Sequence, residues 1–162
     1  MNESIKCFVE THFDKPGKVL DLGAGNFSDV HSLQQMGWIG EGVDISMGVN
    51  LEHPFFSKHG PFDLVIANYV IHKLKNKKQL VKTAYDNLKT NGWFFVQTFD
   101  MSDKTGKWKS KPSMRLSAEN IRELLEQVRF INISEKVFDF YDYDEGHKHW
   151  HRILEVVAQK QP

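Results

Sequence analysis

The stretch from Lys18 to Asp44 constrains this chain more than any other. Lys18 to Leu22 is a short apolar run that stops at glycines, as a buried parallel strand does. Asp21-Leu22-Gly23-Ala24-Gly25-Asn26 makes the hand-over. Phe27, Val30, Leu33 and Met36 then recur at helical spacing, with Ser28 or Asn26 placed to cap the helix and Gly37 placed to end it. Ile39 to Ile45 is a second strand that delivers Asp44 about twenty residues beyond the first acid. Glycine belongs at such a corner because a ligand nearing the backbone must not meet a β-carbon. The helix that follows points free N–H groups into the same space. An acid at Asp44 can accept two hydroxyls of a ribose. The plainer alternative is a tight turn followed by a solvated strand end, and it leaves the agreement of five elements unexplained.

The rest of the chain continues the pattern. Ile5, Phe8, Val9 and Phe13 share a helical face, and Asp14-Lys15-Pro16-Gly17 breaks that segment. Phe62 to Asn68 is a strand; Leu80, Val81, Ala84 and Leu88 mark a helix that Asn91-Gly92 should end. Trp93 to Phe99 is a strand, and Ser117 can cap a helix carrying Ile121, Leu124, Leu125 and Val128. Phe130 to Phe140 and Arg152 to Ala158 are the last two strands. Alternating strands and helices predict an α/β fold, a parallel sheet covered by helices on both faces. The closing pair of strands predicts a hairpin and an antiparallel edge. Residues 101–116 are the long irregular stretch, a candidate lid.

Size and charge bound the partners. A chain of 162 residues fits one domain, 1–162, with residues 1–17 as its N-terminal helix and the break after it. Lys+Arg and Asp+Glu are both 21, so no global charge draws the chain to nucleic acid. The single cysteine, Cys7, cannot form an internal disulfide and reads as a small apolar contact on the first helix. No signal peptide or membrane-length apolar run is visible, so the chain is expected to be cytosolic, with no membrane partner.

The corner discriminates among nucleotides. A dinucleotide site wants a third glycine, and Ser28 stands at that position. A phosphate loop of the G-x-x-x-x-G-K type is absent. Asp21 would repel a pyrophosphate and welcome a cationic ligand with an amino-acid end. Lys18-Val-Leu-Asp-Leu-Gly-Ala-Gly25 resembles the first motif of the Rossmann-like (class I) S-adenosylmethionine-dependent methyltransferases, and Gly42-Val-Asp44-Ile-Ser the second. Pro61-Phe-Asp-Leu-Val-Ile-Ala-Asn68 with Val70-Ile-His-Lys-Leu74 resembles their fourth-strand motif, and Asn91-Gly92-Trp-Phe-Phe-Val96 their fifth.

The resemblance implies a Rossmann-like three-layer sandwich whose mostly parallel, seven-stranded sheet has its last strand antiparallel. It implies S-adenosylmethionine as cofactor. Asp21 and Gly23 would face its methionine end, Gly25 with Ala24 would let it lie across the loop, and Asp44 with Ile45 would hold the ribose side. Asn50, beside Leu51, would bond the adenine amine, and Asn68 and Tyr69 would lie beside the sulfonium. Phe27 stands where many members have a third glycine, so a different loop path is expected. The shortness of the stretch from Asp44 to Phe62 predicts a reduced third strand. Size and the ending Arg152-Ile-Leu-Glu-Val-Val-Ala158 resemble the small tellurite-resistance-type branch.

Acceptor signals are thinner. Ala67-Asn68-Tyr69-Val70 lacks the prolines of the Asn-Pro-Pro-Tyr signature, which disfavours base or amide methylation. His72 follows the fourth-strand motif closely enough to serve as a base beside Tyr69; the alternative is a partly buried histidine at a helix start. Lys104, Lys107, Lys109, Lys111 and Arg115 surround Trp108, as a basic lid, an RNA contact or a plain solvated loop would. His147, His149 and His151 alternate with Lys148 and Trp150, which on a strand puts the imidazoles on one face. An exposed hairpin is favoured there over a metal site or an acceptor contact, and no metal is assigned. The leading expectation is a small-molecule methyltransferase using in-line transfer. The alternatives are an RNA-modifying methyltransferase and a catalytically degenerate cofactor-binding domain.

Overall fold

The computed structural model describes residues 2–103, 116–143 and 148–162. Helix α1 spans Glu3–His12, with the Asn2 side chain accepting the Ser4 and Ile5 N–H groups at its start. Its face of Ile5, Phe8 and Val9 is buried. Cys7 lies on the solvent side of α1 instead of packing, because the helical turn carries it away from that face. Strand β1 (Lys18–Leu22), helix α2 (Ser28–Gln35) and strand β2 (Ile39–Val43) then form the βαβ corner. Strand β3 (Phe62–Asn68), helix α3 (Lys77–Asn87), strand β4 (Leu88–Phe99), helix α4 (Ala118–Gln127) and the hairpin of β5 (Phe130–Asp142) and β6 (His149–Lys160) complete the chain.

The sheet runs β2-β1-β3-β4-β6-β5. The first four positions are mutually parallel, and β6 is antiparallel to both β4 and β5. Side-chain alternation sends Val19, Leu64, Ile66 and Phe95 to one face, under α1 and α2. Leu20, Leu22, Val65, Phe94 and Val96 go to the other, under α3 and α4. Helices therefore cover both faces, and the three-layer sandwich expected from the alternation is present. No helix among the described residues is long and apolar enough to cross a membrane.

Among the described residues the sheet has six strands where seven were expected. After β2 the chain makes a single 3-10 turn, Ile45–Met47, then a turn in which the Asn50 carbonyl accepts the His53 N–H. Leu51 drops into the core, and Pro54 offers no donor to a ladder. The stretch is too short to add both a helix and a strand.

Several element ends also differ, among them the start of β6, at His149 where Arg152 was expected. Helix α3 stops at Asn87, before Asn91-Gly92, because the Asn87 amide donates to the Thr83 and Phe55 carbonyls at 2.8 Å each and takes over the cap. Asn91, at φ 60°, and Gly92 instead form an irregularity inside β4, between the Leu88 and Trp93 pairings. Phe27, in the left-handed region, holds the N-cap position of helix α2, and Asn26 just before it accepts the Ser28 N–H on its side-chain oxygen at 3.2 Å. Strand β2 ends before Asp44, whose side chain caps the 3-10 turn by accepting the Ser46 N–H.

Helix α4 follows the sequence closely. Ser117 accepts the Asn120 N–H and the Asn120 side chain accepts the Ser117 N–H, a reciprocal capping box. Ser117→Ala is expected to lower stability by about 1 kcal/mol. That corresponds to a melting temperature lower by roughly 2–4 °C, read by thermal denaturation.

Candidate active site

The glycine corner closes on β2. Gly23 and Ala24 donate their N–H groups to the Val43 carbonyl at 2.8 and 3.0 Å. Asp44 accepts Gly25 N–H on Oδ2 at 3.2 Å and Ser46 N–H on Oδ1 at 2.9 Å. The Ser46 backbone donor, with its hydroxyl, the Gly25 N–H and the Lys73 charge, holds the Asp44 carboxyl below the usual range against some desolvation. Gly25 has φ +55°, and a β-carbon built there meets nothing within 4 Å. The corner thus presents bare backbone to open space. Phe27 takes the left-handed conformation that a glycine would otherwise supply. Its ring lies against Gly42, where a β-carbon would sit 2.7 Å from the ring and 2.8 Å from Ala24.

Polar side chains gather on the α1–α2 face at the carboxyl ends of the strands. Asp21 is buried, and its Oδ1 has no hydrogen-bond partner. Burial first, then the charges of Asp29 and Asp44, pushes its pKa up to about 8. Asn68 donates to Asp29 Oδ2 at 3.0 Å, while its own Oδ1 is buried and unpartnered. Asp29 Oδ1 accepts the Asn2 N–H at 2.8 Å. Asn2 Nδ2 donates to Gln97 Oε1 at 2.7 Å, and Gln97 Nε2 to Glu155 Oε2 at 2.8 Å. A continuous chain of side chains therefore links α2, the start of α1, β4 and β6 beside the corner.

The next group surrounds Phe99. The rings of Tyr69, His72 and His151 have centroids 5.2, 5.2 and 4.9 Å from that of Phe99. Tyr69 sits at φ 52°, held by its N–H to the Gln97 carbonyl at 2.9 Å. Burial, then Asp142 and Glu155, raises its phenol further above the ordinary tyrosine value. His72 is buried on a 3-10 turn, with Nδ1 3.2 Å from the Thr98 hydroxyl. Burial, then Lys73 and Lys77, pulls its pKa down to about 4. On β6, His149 and His151 share a face, with ring centroids 4.3 Å apart.

A family model described as "Methyltransferase domain" matches residues 3–152. The chain belongs to that methyltransferase family. A search of curated proteins finds no significant match. Among solved structures, phosphoethanolamine N-methyltransferase 2 of Haemonchus contortus, in complex with S-adenosyl-L-methionine, superimposes with a TM-score of 0.78 at 16% identity, over 99% of this chain and 53% of that one. This methyltransferase domain thus spans about half the length of that enzyme. A SAM-dependent methyltransferase from Archaeoglobus fulgidus gives 0.69 at 14% identity, over 99% of this chain and 95% of that one. The 1,6-didemethyltoxoflavin-N1-methyltransferase of Burkholderia thailandensis, with S-adenosylhomocysteine bound, gives 0.70 at 16% identity, over 98% and 77%. At these identities the likeness speaks for the fold, the Rossmann-like α/β sandwich.

Within the methyltransferase domain, Asp21, Gly23, Ala24, Gly25, Asp44 and Ile45 meet at one corner, with Asn68 and Tyr69 at the adjacent strand end. Ile45 is 67% exposed beside Asp44. Asn50 lies on the surface, its Oδ1 accepting the Glu52 N–H at 3.0 Å. The Leu51 side chain packs into the core. Lys104, Lys107, Trp108, Lys109, Lys111, Arg115 and His147 lie outside the described residues. Sequence reasoning missed Asn2, Asp29, Gln97, Phe99 and Asp103. Only Asp29 carried a local signal, an acid in the first turn of the helix after the glycines.

Proposed function

We propose that this domain binds S-adenosylmethionine at the β1–α2 corner and transfers its methyl group to a small molecule. One observation carries the proposal: the buried, unpartnered Asp21 Oδ1 at the foot of a corner whose Gly25 opens onto free space. A buried carboxylate oxygen without a donor is costly, and a ligand ammonium would relieve it. A pyrophosphate would aggravate it. The likeness to methyltransferases crystallised with this cofactor or its demethylated form supports the same reading.

When bound, the cofactor supplies an electrophilic methyl group on a sulfonium, with a neutral thioether as leaving group. Asp21 and Asn68 would hold its amino-acid end, using their buried oxygens. Gly23, Ala24 and Gly25 would give clearance along the backbone. Asp44, kept ionised by its backbone donors, would accept the ribose hydroxyls. Ile45 would cover the adenine with apolar surface, bordered by Asn50 and the backbone of Leu51. Tyr69 and His72 would line the acceptor side, where holding donor and acceptor collinear supplies much of the rate. The Haemonchus and Burkholderia enzymes are named for small acceptors, which supports a small-molecule substrate here.

Calorimetry with S-adenosylmethionine and S-adenosylhomocysteine tests the cofactor. Binding is expected, and none at millimolar ligand would overturn the proposal. Asp44→Ala is expected to weaken it about 10- to 100-fold, or roughly 1.4–2.7 kcal/mol. An unchanged affinity would remove Asp44 from the site.

A further inference from the structure

We propose that the methyl acceptor is a small amine carrying no anionic group and that His151, oriented by Asp103, takes its proton. The inference rests on the methyltransferase function proposed above. It concerns the one part of the site that the glycine corner says nothing about.

The hairpin places the histidine. Strand β6 pairs with β5 out to Asp142 and His149, beyond the Phe99–Ile153 pair that ends its ladder with β4. His151 therefore stands past the carboxyl end of β4, and its ring packs on Phe99. It is only 8% exposed, and Asp103 only 5%. Its Nδ1 lies 3.2 Å from Asp103 Oδ2. With the ring proton on Nδ1 donated to that carboxylate, Nε2 carries the lone pair. Nε2 lies 4.0 Å from Asp142 Oδ2. A proton taken up at Nε2 would thus leave an imidazolium between two carboxylates, which stabilise the charge as it forms.

Asp103 is held by its own turn. Its N–H donates to the Asp100 carbonyl at 3.0 Å, and Asp100 N–H donates to the Arg152 carbonyl at 2.9 Å, next to His151 in the chain. Asp100 Oδ1 accepts both the N–H and the hydroxyl of Ser102. The orienting carboxylate and the histidine are therefore tied to one another through the backbone as well as the side chains. That is the relation a base and its orienting partner require.

The surroundings select the acceptor. Tyr69 and Phe99 present aromatic rings, and Asp103, Asp142 and Glu155 present carboxylates; Asp142 and Glu155 are close enough to raise the Tyr69 phenol. Aromatic faces and carboxylates attract an ammonium and repel a phosphate or carboxylate. Among the described residues, Asp103, Asp142 and His149 face His151, with Tyr69 and His72 on Phe99. Burial drives the pKa of His72 to about 4, which makes it a poor proton acceptor near neutral pH.

The balance is simple. The substrate ammonium gives one proton to His151 Nε2. The freed nitrogen lone pair forms the N–CH3 bond while the methyl–sulfur bond breaks, its electron pair staying on sulfur. His151 then returns the proton to water. The products are the methylated ammonium, the thioether and one proton.

The test uses the full chain and labelled S-adenosylmethionine, after S-adenosylhomocysteine binding has been measured. Probes are a set of small primary amines such as 2-phenylethylamine, with phosphoethanolamine, catechol and 2-mercaptoethanol. Methylation of the uncharged-tail amines is expected. Transfer only to the phosphorylated, hydroxyl or thiol probes would overturn the inference, as would cofactor binding with no amine methylated. Absence of cofactor binding would instead overturn the function on which it rests. His151→Gln is expected to lower kcat about 100-fold at pH 7. The deficit should shrink towards pH 9.5, where free amine is abundant. A defect equal at all pH, or no defect, would remove His151 as the base. Asp103→Asn is expected to lower kcat about 10-fold with KM and S-adenosylhomocysteine affinity unchanged; a matching loss of that affinity would make Asp103 merely structural.

Discussion

An Asp21→Asn variant is expected to be more stable than the parent above about pH 8 and to bind S-adenosylmethionine far more weakly. Burial, with help from Asp29 and Asp44, pushes the Asp21 carboxyl from 3.8 up to about 8. A folded-state pKa raised above the unfolded one gives stability that is complete below about 3.8 and lost as pH rises through about 8. His72 has the opposite sign. Lowered from 6.5 to about 4, it gives stability that is present above about 6.5 and lost as pH falls through about 4. Between about 4 and 6.5 the two slopes oppose each other, and from about 6.5 to 8 only Asp21 acts. The ligand-free parent should therefore melt at nearly constant temperature between about pH 4 and 6.5 and fall by several degrees by pH 8. The variant should instead rise through the acid range and stay level above it. Superimposable melting curves for the two proteins would refute the buried charge.

The same carboxylate links protons to ligand. A cofactor ammonium beside Asp21 favours the ionised form, so binding should release a proton where the free carboxyl is still protonated. Affinity should rise between about pH 6.5 and 8, and calorimetry in buffers of different ionisation enthalpy should detect the proton. Asp21→Asn should abolish both effects and cost at least about 10-fold in affinity, or about 1.4 kcal/mol.

Gly23→Ala is the second large effect. The position has φ +84°, and a β-carbon there would lie 2.6 Å from a Val70 methyl. The backbone strain costs about 1–2 kcal/mol. The contact adds to it, because Val70 is buried and leads into the turn that carries His72. A total loss of roughly 2–4 kcal/mol and no measurable cofactor binding are expected. Val70→Ala in the same chain should return part of the stability by removing the contact and leave the strain, giving a coupling of about 1 kcal/mol. Gly25→Ala is the control. Its β-carbon meets open space, so it should cost about 1 kcal/mol in stability and yet weaken cofactor binding by filling the cleared surface. Equal destabilisation by the two substitutions would contradict the different surroundings of these glycines.

How far the chain could be read follows from the range of the interactions. Strands β1 and β3 occupy the spans expected of them, because apolar runs bounded by glycine, proline and asparagine are local signals. The Ser117 cap and the antiparallel hairpin are local as well. Asn91-Gly92 misled because the same pair suits a helix end and an irregular strand, and the Asn87 amide, reaching the distant Phe55 carbonyl, decided between them. That the stretch from Asp44 to Phe62 adds no seventh strand turns on Leu51 entering the core. Phe27 adopts a glycine's conformation because Gly42, on a neighbouring strand, leaves room for its ring.

The opening corner is thus the part that the sequence determined alone: strand, glycines, helix, strand and acid lie within a short stretch, where periodicity and turn chemistry act between near neighbours. Tertiary structure decided its surroundings. It buried the Asp21 carboxyl against Asp29, threaded Asn2 between Asp29 and Gln97, and brought Asp103 to His151 across 48 residues. Contacts between residues so far apart are made by sheet order and register, which no local pattern encodes.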